Sequence, residues 1–321
     1  MLQFLLQWEK ACSETGKWGA DLLWDKPQTV RRRSSAADRE HAIRIRSIAE
    51  RKTAMQLGIG TYTFTWAIGV KGWEQPRRPM GPLELLRTAA QQGIRLVQFA
   101  DNMPLHELPQ PLLKELGQLA RQLGITIEVG TRGTDPEHLA RYLLLARQLN
   151  AGLCRTLITV ADMDQAYRDI ASVLPDFAGE QVVLAVENHG LHTTSQLKEL
   201  FRRLDSPYVG SCLDTVNSFG ALEAPGQVIR ELAPYVVNLH IKDFAIRRVS
   251  HMMGYEVLGT PAGEGRLNIP ELLRIIRELG RTPTAILELW TPYTNTMEET
   301  IRMEREWYAR SMDYLTPQLK I

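Results

Sequence analysis

The chain has 321 residues, a length that suits one large α/β barrel or two smaller domains. With 44% apolar and 23% charged residues it has the composition of an ordinary soluble globular protein, and no stretch approaches the ~18 uninterrupted apolar residues of a membrane span. The formal net charge is +1, and the acidic balance from residue 55 onwards gives no electrostatic reason to expect nucleic acid as a ligand.

The first 54 residues differ in pattern from the rest of the chain. They hold three of the seven tryptophans and a basic run at residues 31–33, but no alternation of strand-like and helix-like segments. The start, MLQFLLQWEKAC, lacks an early basic region, so a secretory signal is a poor fit. We predict an N-terminal extension over residues 1–54, poorly ordered or helical, and a catalytic barrel domain over residues 55–321. Met55, which opens MQLGIGTYTF, is an alternative natural start.

From Leu57 onwards, strand-like apolar runs alternate with amphipathic segments of helical period. Helical segments such as PLELLRTAAQQG and PELLRIIRELG end in glycine, the expected helix stop. Pro82, Pro136 and Pro270 lie near helix starts, where the missing amide proton costs nothing. The eight predicted strands cover residues 57–64, 94–100, 125–130, 153–159, 182–187, 209–214, 235–241 and 284–290.

Eight strand–helix units over residues 57–313 match the size of a (β/α)₈ TIM barrel. The alternative, a doubly wound open sheet, would need a glycine-rich phosphate turn after its first strand, and the motif G-x-G-x-x-G is absent there. The longest connection in the second half follows the seventh strand, at about residues 244–268. A long loop at the functional face is typical of a substrate cover.

Four consecutive predicted strands, the fifth to the eighth, end in residues that can bind a divalent metal. These residues are Glu187 after VVLAV, Asp214 after VGSCL, His240 after VVNL and Glu288 after AIL. The reacting groups of a parallel barrel lie where its strands end, and a buried carboxylate must be paired, hydrogen-bonded or metal-bound. Three carboxylates and one imidazole favour Mn²⁺, with Mg²⁺, Co²⁺ and Zn²⁺ as alternatives. For any one of these residues, an ion pair, a helix cap or a core histidine is the competing interpretation.

The same residues stand in motifs that resemble those of the sugar phosphate isomerase/epimerase family, whose members share the xylose isomerase-like barrel. The matching stretches are ENHG at 187–190, CLDTVNS at 212–218, LHIKD at 239–243, GEG at 263–265 and LEL at 287–289. The resemblance covers about residues 55–310. It implies a TIM barrel with Glu187, Asp214, His240 and Glu288 as metal ligands. It does not imply one substrate, because the family is chemically diverse.

Asn217 marks a departure from one branch of this family. Ketose 3-epimerases usually place a histidine three residues after the metal aspartate, whereas here Asn217 follows Asp214 at that distance. An asparagine can hydrogen-bond a substrate hydroxyl but does not titrate. Together with the DN pair at 101–102, TRG at 131–133 and Arg155, this departure favours the inosose dehydratase or keto-glycoside-processing branch.

Further polar and aromatic side chains are predicted at the same mouth of the barrel. An arginine suits anionic oxygen groups, a histidine can carry a proton, and an aromatic ring can pack on a sugar face. We expect substrate contacts from Asp101, Arg132, Arg155, His189, Asn217, Lys242, Glu264 and Trp66. The competing interpretations are that the arginines pair with the metal-site carboxylates, that Trp66 fills the core, and that Lys242 and Glu264 are ordinary surface charges.

The predicted activity is metal-assisted proton abstraction next to the carbonyl of a keto-sugar, a cyclitol or a 3-keto-glycoside. Glu187 and Glu288 would serve as base and acid, and the outcome would be isomerisation, epimerisation or elimination by a carbon–oxygen lyase. One alternative is an abasic-site endonuclease-like phosphodiesterase, which the seven histidines and the acidic barrel disfavour. The other is a metal-dead sugar-binding subunit.

The expected partner is a small carbohydrate substrate, with neither nucleic acid nor a membrane involved. The oligomeric state is open, with a homo-oligomer among the alternatives. Cys12, Cys154 and Cys212 are far apart and odd in number, so a disulfide framework is not expected and a reduced, cytoplasmic setting fits better.

Overall fold

The computed structural model describes residues 55–319, and these residues form a closed barrel of eight parallel strands. The strands are β1 (Leu57–Gly60), β2 (Leu96–Phe99), β3 (Thr126–Gly130), β4 (Leu153–Leu157), β5 (Val183–Glu187), β6 (Val209–Asp214), β7 (Val236–Ile241) and, after a hairpin of β8 (Asp243–Arg248) and β9 (Tyr255–Thr260), β10 (Thr284–Leu287). Pairing of β1 with β10 closes the barrel. The predicted (β/α)₈ fold is confirmed and the open sheet is excluded. The predicted extension, residues 1–54, lies outside the described residues.

Helices follow the strands and carry the predicted start and stop residues. They are α1 (Thr65–Ile68), α2 (Pro82–Gln91), α3 (Gln110–Leu123), α4 (Pro136–Leu149), α5 (Met163–Gly179), α6 (Thr194–Leu204), α7 (Pro225–Leu232), α8 (Ile269–Glu278) and α9 (Met297–Leu319). Pro82, Pro136 and Pro270 lie in the first two positions of their helices. Gly124 ends α3 at a φ of 64°, a left-handed conformation that glycine adopts without strain. No helix within residues 55–319 has both the length and the apolar composition needed to cross a membrane.

The first and last barrel strands are shorter than predicted. After Gly60 the chain turns into a 3₁₀ helix at Thr61–Thr63, because the Thr63 hydroxyl accepts the N–H of Gly60 at 2.9 Å and donates to the carbonyl of Leu287. The last strand ends at Leu287 rather than at residue 290. These early ends leave Tyr62 and Glu288 beyond the strands, at the mouth of the barrel.

The segment after β7, predicted as a long loop at about residues 244–268, differs most from its prediction. Its larger part is the antiparallel hairpin β8–β9, in which Phe244 pairs with Gly259 and Arg248 with Tyr255. The base of this hairpin is buried and its tip is exposed. A hairpin satisfies its own backbone hydrogen bonds, so the segment has a defined shape that a loop of this length would lack.

The barrel interior is more polar than is usual for this fold. Gln98 on β2 donates to Asn238 on β7 at 3.1 Å, although β2 and β7 are not neighbours in the barrel. The bond must therefore cross the interior. Branched apolar residues normally dominate this space, whereas here the apolar core lies mainly between the strands and the surrounding helices, as with Phe201 and Leu272.

Candidate metal centre and active site

Strand register brings the four predicted ligand residues together at the carboxyl end of the barrel. Asp214 and His240 are direct partners across β6 and β7. Glu187 ends β5, one strand away, and Glu288 directly follows β10 on the other side of β7. All four residues are at most 2% exposed. The ends of these apolar strands therefore hold three buried carboxylates and a buried imidazole close together.

His240 Nδ1 lies close to a carboxylate oxygen of each of the other three residues. The distances are 3.2 Å to Glu288 Oε1, 3.5 Å to Glu187 Oε2 and 4.0 Å to Asp214 Oδ2. Around a small octahedral cation with ligands ~2.1 Å away, neighbouring ligand atoms lie about 3 Å apart and opposite ones about 4 Å apart. The distances from His240 Nδ1 suit a divalent ion of this size. Asp214, His240 and Glu288 each offer a ligand atom within 4.8 Å of the others, and Glu187 forms a second such group with Cys212 and His240.

The hydrogen bonding of His240 also leaves a ligand atom free. Its Nε2 lies 2.8 Å from Gln98 Oε1, and because that oxygen can only accept, Nε2 carries the proton. Nδ1 then presents a lone pair, and it has no hydrogen-bond partner among the described residues; the same is true of Glu288 Oε1. A lone pair that faces carboxylates is repelled unless a cation lies between them. The donor set and its orphaned atoms therefore fit a metal.

The balance of charge around the cluster points in the same direction. Its ionisable groups comprise four carboxylates and two cationic side chains, namely Glu187, Asp214, Glu288, Asp101, Arg155 and Lys242. With a neutral imidazole, these groups carry a formal charge of −2, which one divalent ion would neutralise. Uncompensated charge in a buried position is costly, so the residues around the ligands also fit a dication.

Lys242 follows β7 and places its ammonium within the cluster. Nζ lies 2.8 Å from Asp214 Oδ2 and 2.7 Å from Glu288 Oε2. Burial alone would lower the pKa of Lys242, but the carboxylates of Asp214 and Glu288 outweigh it and raise that pKa above its ordinary value. Lys242 is therefore a fixed positive charge and not a surface residue.

Arg155, on β4, pairs with a predicted metal ligand. Its Nε donates to Glu187 Oε2, and its Nη1 donates to Asp101 Oδ1 at 2.8 Å and to the carbonyl of Thr131 at 3.0 Å. Although burial opposes ionisation of Glu187, the nearby cations, Arg155 first and then Lys242, hold the pKa of this carboxyl below its usual range. Arg155 thus pairs with a carboxylate of the predicted metal site, as the competing interpretation of the arginines expected.

Asn217, the departure from the epimerase pattern, also contacts two ligand residues. Its side-chain Nδ2 donates to Glu187 Oε1 at 2.7 Å, and its backbone N–H donates to Asp214 Oδ1 at 2.8 Å. Both oxygens of Glu187 are thereby engaged, one by Arg155 and one by Asn217. His189 is exposed and lines the entrance above this group.

A cavity of about 470 Å³ opens onto the cluster and has one aromatic wall. Among the predicted site residues it is lined by Trp66, Arg155, Glu187, His189, Asn217, Lys242 and Glu288. The indole of Trp66 is held by an Nε1–H bond to the carbonyl of Thr291 at 2.7 Å, and its ring lies 5.5 Å from that of Trp73 and 5.3 Å from that of Tyr293. The cavity thus has a charged floor and an apolar side, as carbohydrate sites often do.

Three predicted contact residues lie outside the lining of this cavity. Arg132 is largely exposed and is 3.6 Å from Asp101, whose other oxygen accepts from Arg155. Glu264 pairs with Arg310 on α9 at the outer rim. The structure therefore connects Asp101 and Arg132 to the cluster through Arg155, and it separates Glu264 from it.

Several residues of the site carry no strong signal in the sequence. Gln98 and Tyr62 lie among residues that are ordinary for a strand, and Glu304, which accepts the backbone N–H of Trp66, lies on the distant helix α9. The phenol of Tyr62 lines the cavity, and burial followed by the charge of Asp101 raises its pKa, so it stays protonated. Trp73, also in the cavity wall, lies in an irregular segment between α1 and α2. The only sequence signal for Gln98 is the alternation of side chains along β2, which directs every second residue into the barrel.

Comparison with known proteins gives one family and a group of related barrels. Residues 86–317 match the family described as xylose isomerase-like TIM barrel. A 3-oxo-isoapionate decarboxylase from Pectobacterium atrosepticum is 36% identical over 265 residues, which cover 81% of this chain and 95% of that protein.

Two solved structures of low sequence identity share the fold. A xylose isomerase-like TIM barrel protein from Mycobacterium smegmatis in complex with magnesium is 15% identical, with a TM-score of 0.58 over 81% of this chain and 97% of its own. The IOLI protein with a zinc atom is 17% identical, with a TM-score of 0.56 over 81% and 99%. The family match extends from α2 into α9, and with the 36% relative it shows that the chain belongs to the xylose isomerase-like TIM barrel family.

Proposed function

We propose that this protein is a divalent-metal-dependent carbohydrate lyase that decarboxylates a 3-oxo sugar acid. The 3-oxo-isoapionate decarboxylase that is 36% identical supports this substrate class. Glu187, Asp214, His240 and Glu288 would hold the metal, and the donor set of three oxygens and one nitrogen favours Mn²⁺. The substrate would occupy the 470 Å³ cavity above them.

The observation that favours decarboxylation is the double engagement of Glu187. Arg155 donates to one of its oxygens and Asn217 to the other, which lies 2.7 Å from the amide nitrogen. A catalytic base needs a free lone pair and a pKa near the working pH. In Glu187 each oxygen already accepts a hydrogen bond, a further lone pair would bind the metal, and nearby cations hold the pKa of the carboxyl below its usual range, so this carboxylate is a poor base. Loss of CO₂ from a 3-oxo acid needs no base, because cleavage of the carbon–carbon bond itself supplies the electron pair.

In the proposed reaction, the bond between the carboxylate carbon and its neighbour breaks, and its electron pair moves to the ketone oxygen as an enolate. A bound divalent cation would supply Lewis acidity for that oxygen. The ammonium of Lys242, on the cavity floor, is a fixed charge for the same developing anion. The enolate carbon then takes up a proton that comes from solvent water, and the released CO₂ leaves past Trp66 and Trp290, which line the cavity.

The second candidate function is isomerisation or epimerisation by proton abstraction. It is favoured by Glu288, whose Oε1 has no hydrogen-bond partner among residues 55–319 and which lines the cavity. In this reaction Glu288 would remove a proton from carbon next to the carbonyl, and no carbon would be lost. The keto-glycoside and cyclitol substrates of our sequence prediction belong to this candidate.

One assay separates these candidates. The purified protein is incubated with 3-oxo-isoapionate, other 3-oxo sugar acids and keto-sugars, with Mn²⁺ or with EDTA, in deuterated water. We expect CO₂ release that depends on Mn²⁺, and one deuterium at the carbon that lost the carboxylate. Deuterium in an unshortened isomer would favour the second candidate instead. Cleavage of an abasic oligonucleotide would contradict both.

Matched glutamine variants test the assigned residues. We expect Glu288→Gln to lower kcat/KM by at least about 100-fold, since it removes one proposed ligand oxygen charge. Glu264→Gln changes an exposed carboxylate paired with Arg310, so its activity should match that of the wild type. Full activity of the Glu288 variant would overturn the proposed site.

A further inference from the structure

A buried chain of hydrogen bonds runs from β3 to the proposed metal ligand on β7. Glu128 Oε2 accepts from Gln98 Nε2 at 3.1 Å, and Gln98 Oε1 lies 2.8 Å from His240 Nε2. Glu128 is 3% exposed, and Gln98 and His240 are fully buried. A carboxylate in a space that branched apolar residues usually fill is costly to bury, so its presence requires a reason.

The order of donors and acceptors along this chain is determined by Glu128. A carboxylate only accepts, so the amide nitrogen of Gln98 must face it. The same nitrogen donates to Asn238 Oδ1 at 3.1 Å, while Asn238 Nδ2 donates to Glu128 Oε2 at 3.3 Å. A reversed Gln98 amide would set its carbonyl against two acceptor oxygens. The carbonyl of Gln98 is therefore directed at His240.

The direction of the Gln98 carbonyl also determines the protonation of the other ring nitrogen of His240, Nδ1. Because Gln98 Oε1 can only accept, it selects the tautomer of His240 with the proton on Nε2. Nδ1 is then unprotonated, and it is the atom that lies 3.2 to 4.0 Å from the oxygens of Glu288, Glu187 and Asp214. A partner that orients a metal-binding histidine in this way is commonly worth 10- to 100-fold in metal affinity.

We propose that Glu128 is a positioning residue for metal binding, which acts through Gln98 to select the tautomer and the ring orientation of His240. It touches neither metal nor substrate. The inference rests on the proposed metal centre, and it adds a residue on a strand that supplies none of the four ligands.

The first test measures Mn²⁺ affinity by titration calorimetry, so that no substrate is needed. Glu128→Met keeps a side chain of similar length but has no strong acceptor, and we expect its Kd for Mn²⁺ to rise about tenfold or more. In Glu128→Gln one amide oxygen can still accept from Gln98, so its Kd should stay within about threefold of the wild type. Thr284→Val is the matched control, since Thr284 accepts from Asn238 in the same cluster but does not contact Gln98. It should bind Mn²⁺ as the wild type does.

A double-mutant cycle tests whether Glu128 acts through Gln98. We expect Gln98→Met to weaken Mn²⁺ binding at least as much as Glu128→Met, and the double variant to lose nothing further. Additive losses, or an unchanged Kd in Glu128→Met, would overturn the proposal. Wild-type protein that binds no Mn²⁺ would instead remove the metal centre itself, so the two failures are distinguishable.

A measurement on the unaltered protein covers the case in which these variants do not fold. Nitrogen-15 NMR of the histidines in Mg²⁺-saturated wild-type protein should show His240 with its proton on Nε2. A proton on Nδ1 would contradict the proposed relay.

Discussion

Lys242 places an ammonium against two carboxylates that would also bind a metal, Asp214 and Glu288. We expect the Lys242→Met variant to bind Mn²⁺ more tightly, by roughly tenfold, because a competing positive charge is gone. At the same time kcat should fall by about 100-fold, because a fixed charge for the developing anion is lost. Calorimetry and steady-state kinetics measure the two effects separately. Lys198→Met, which alters a pair with Glu231 between outer helices, should change neither.

Glu304 on α9 makes the stability of the molecule depend on pH. Its carboxyl group accepts the N–H groups of Trp66 at 2.8 Å and Ala67 at 3.0 Å, and burial raises its pKa from 4.5 to about 7. A raised carboxyl pKa stabilises the fold fully below pH 4.5, and this contribution is lost as the pH rises through 7. The loss amounts to about 3 kcal/mol at most.

We therefore expect the free energy of unfolding in urea to fall between pH 5 and pH 8, with a smaller fall in the Glu304→Gln variant. Glutamine does not titrate, but it offers one acceptor oxygen where the two N–H groups of Trp66 and Ala67 need partners. The control Glu298→Gln alters an exposed carboxylate of the same helix and should retain the wild-type slope. Equal slopes for Glu304→Gln and the wild type would contradict the assignment.

At the scale of the element, Asp243 anchors the segment that follows the β8–β9 hairpin. Its carboxylate accepts four backbone N–H groups, from Phe244, Gly263, Gly265 and Leu267, at 2.8 to 3.0 Å. Gly265 must lack a side chain, since a Cβ there would lie 2.1 Å from Asp243 Oδ1. One carboxylate thus holds the GEG turn in place.

We expect Asp243→Asn to lower the free energy of unfolding by about 2–3 kcal/mol, because an amide nitrogen would face backbone donors and leave them without partners. Hydrogen exchange should accelerate at residues 261–268 while the rest of the barrel stays protected. Glu264→Gln changes the same turn only at its exposed pair with Arg310, so its stability should change by less than about 1 kcal/mol. Comparable losses in both variants would contradict the anchoring role.

For the whole molecule, we expect the charge of the cluster to make the stability of the fold depend on a bound divalent ion. With Mn²⁺ at 100 times its Kd, binding should stabilise the protein by about 2.7 kcal/mol. For a domain of this size that corresponds to roughly 4–5 °C in melting temperature. We expect EDTA to reverse the increase and Glu288→Gln to abolish it. A melting temperature that does not respond to Mn²⁺ would contradict the metal centre.

The sequence predicts the barrel well because each buried strand is a short apolar run with a clear end. The positions of Glu187, Asp214, His240 and Glu288 relative to their strands follow from that pattern alone, and the barrel register then brings them together. The hairpin at Asp243–Thr260 is missed, because its alternation is weak and its strands leave the barrel.

The polar contacts inside the barrel could not be predicted from the sequence either. Gln98 meets His240 only because the sheet closes, which places β2 opposite β7. Glu304 reaches Trp66 from a helix 238 residues further along the chain. Such contacts depend on side-chain direction in three dimensions, and no local pattern encodes them. The predicted role of Glu264 is weakened for the same reason, since the neighbouring α9 provides Arg310 as its partner.

Lys242 and Asp243 are consecutive residues whose side chains point to different parts of the site. The ammonium of the first points to the floor of the cavity, and the carboxylate of the second holds the turn at its rim. A single peptide unit therefore joins the rim to the reacting charge, and a rotation of that unit displaces both. We therefore expect a substrate large enough to shift the rim to move the ammonium as well, which would couple substrate recognition at the rim to the proposed reaction at the centre.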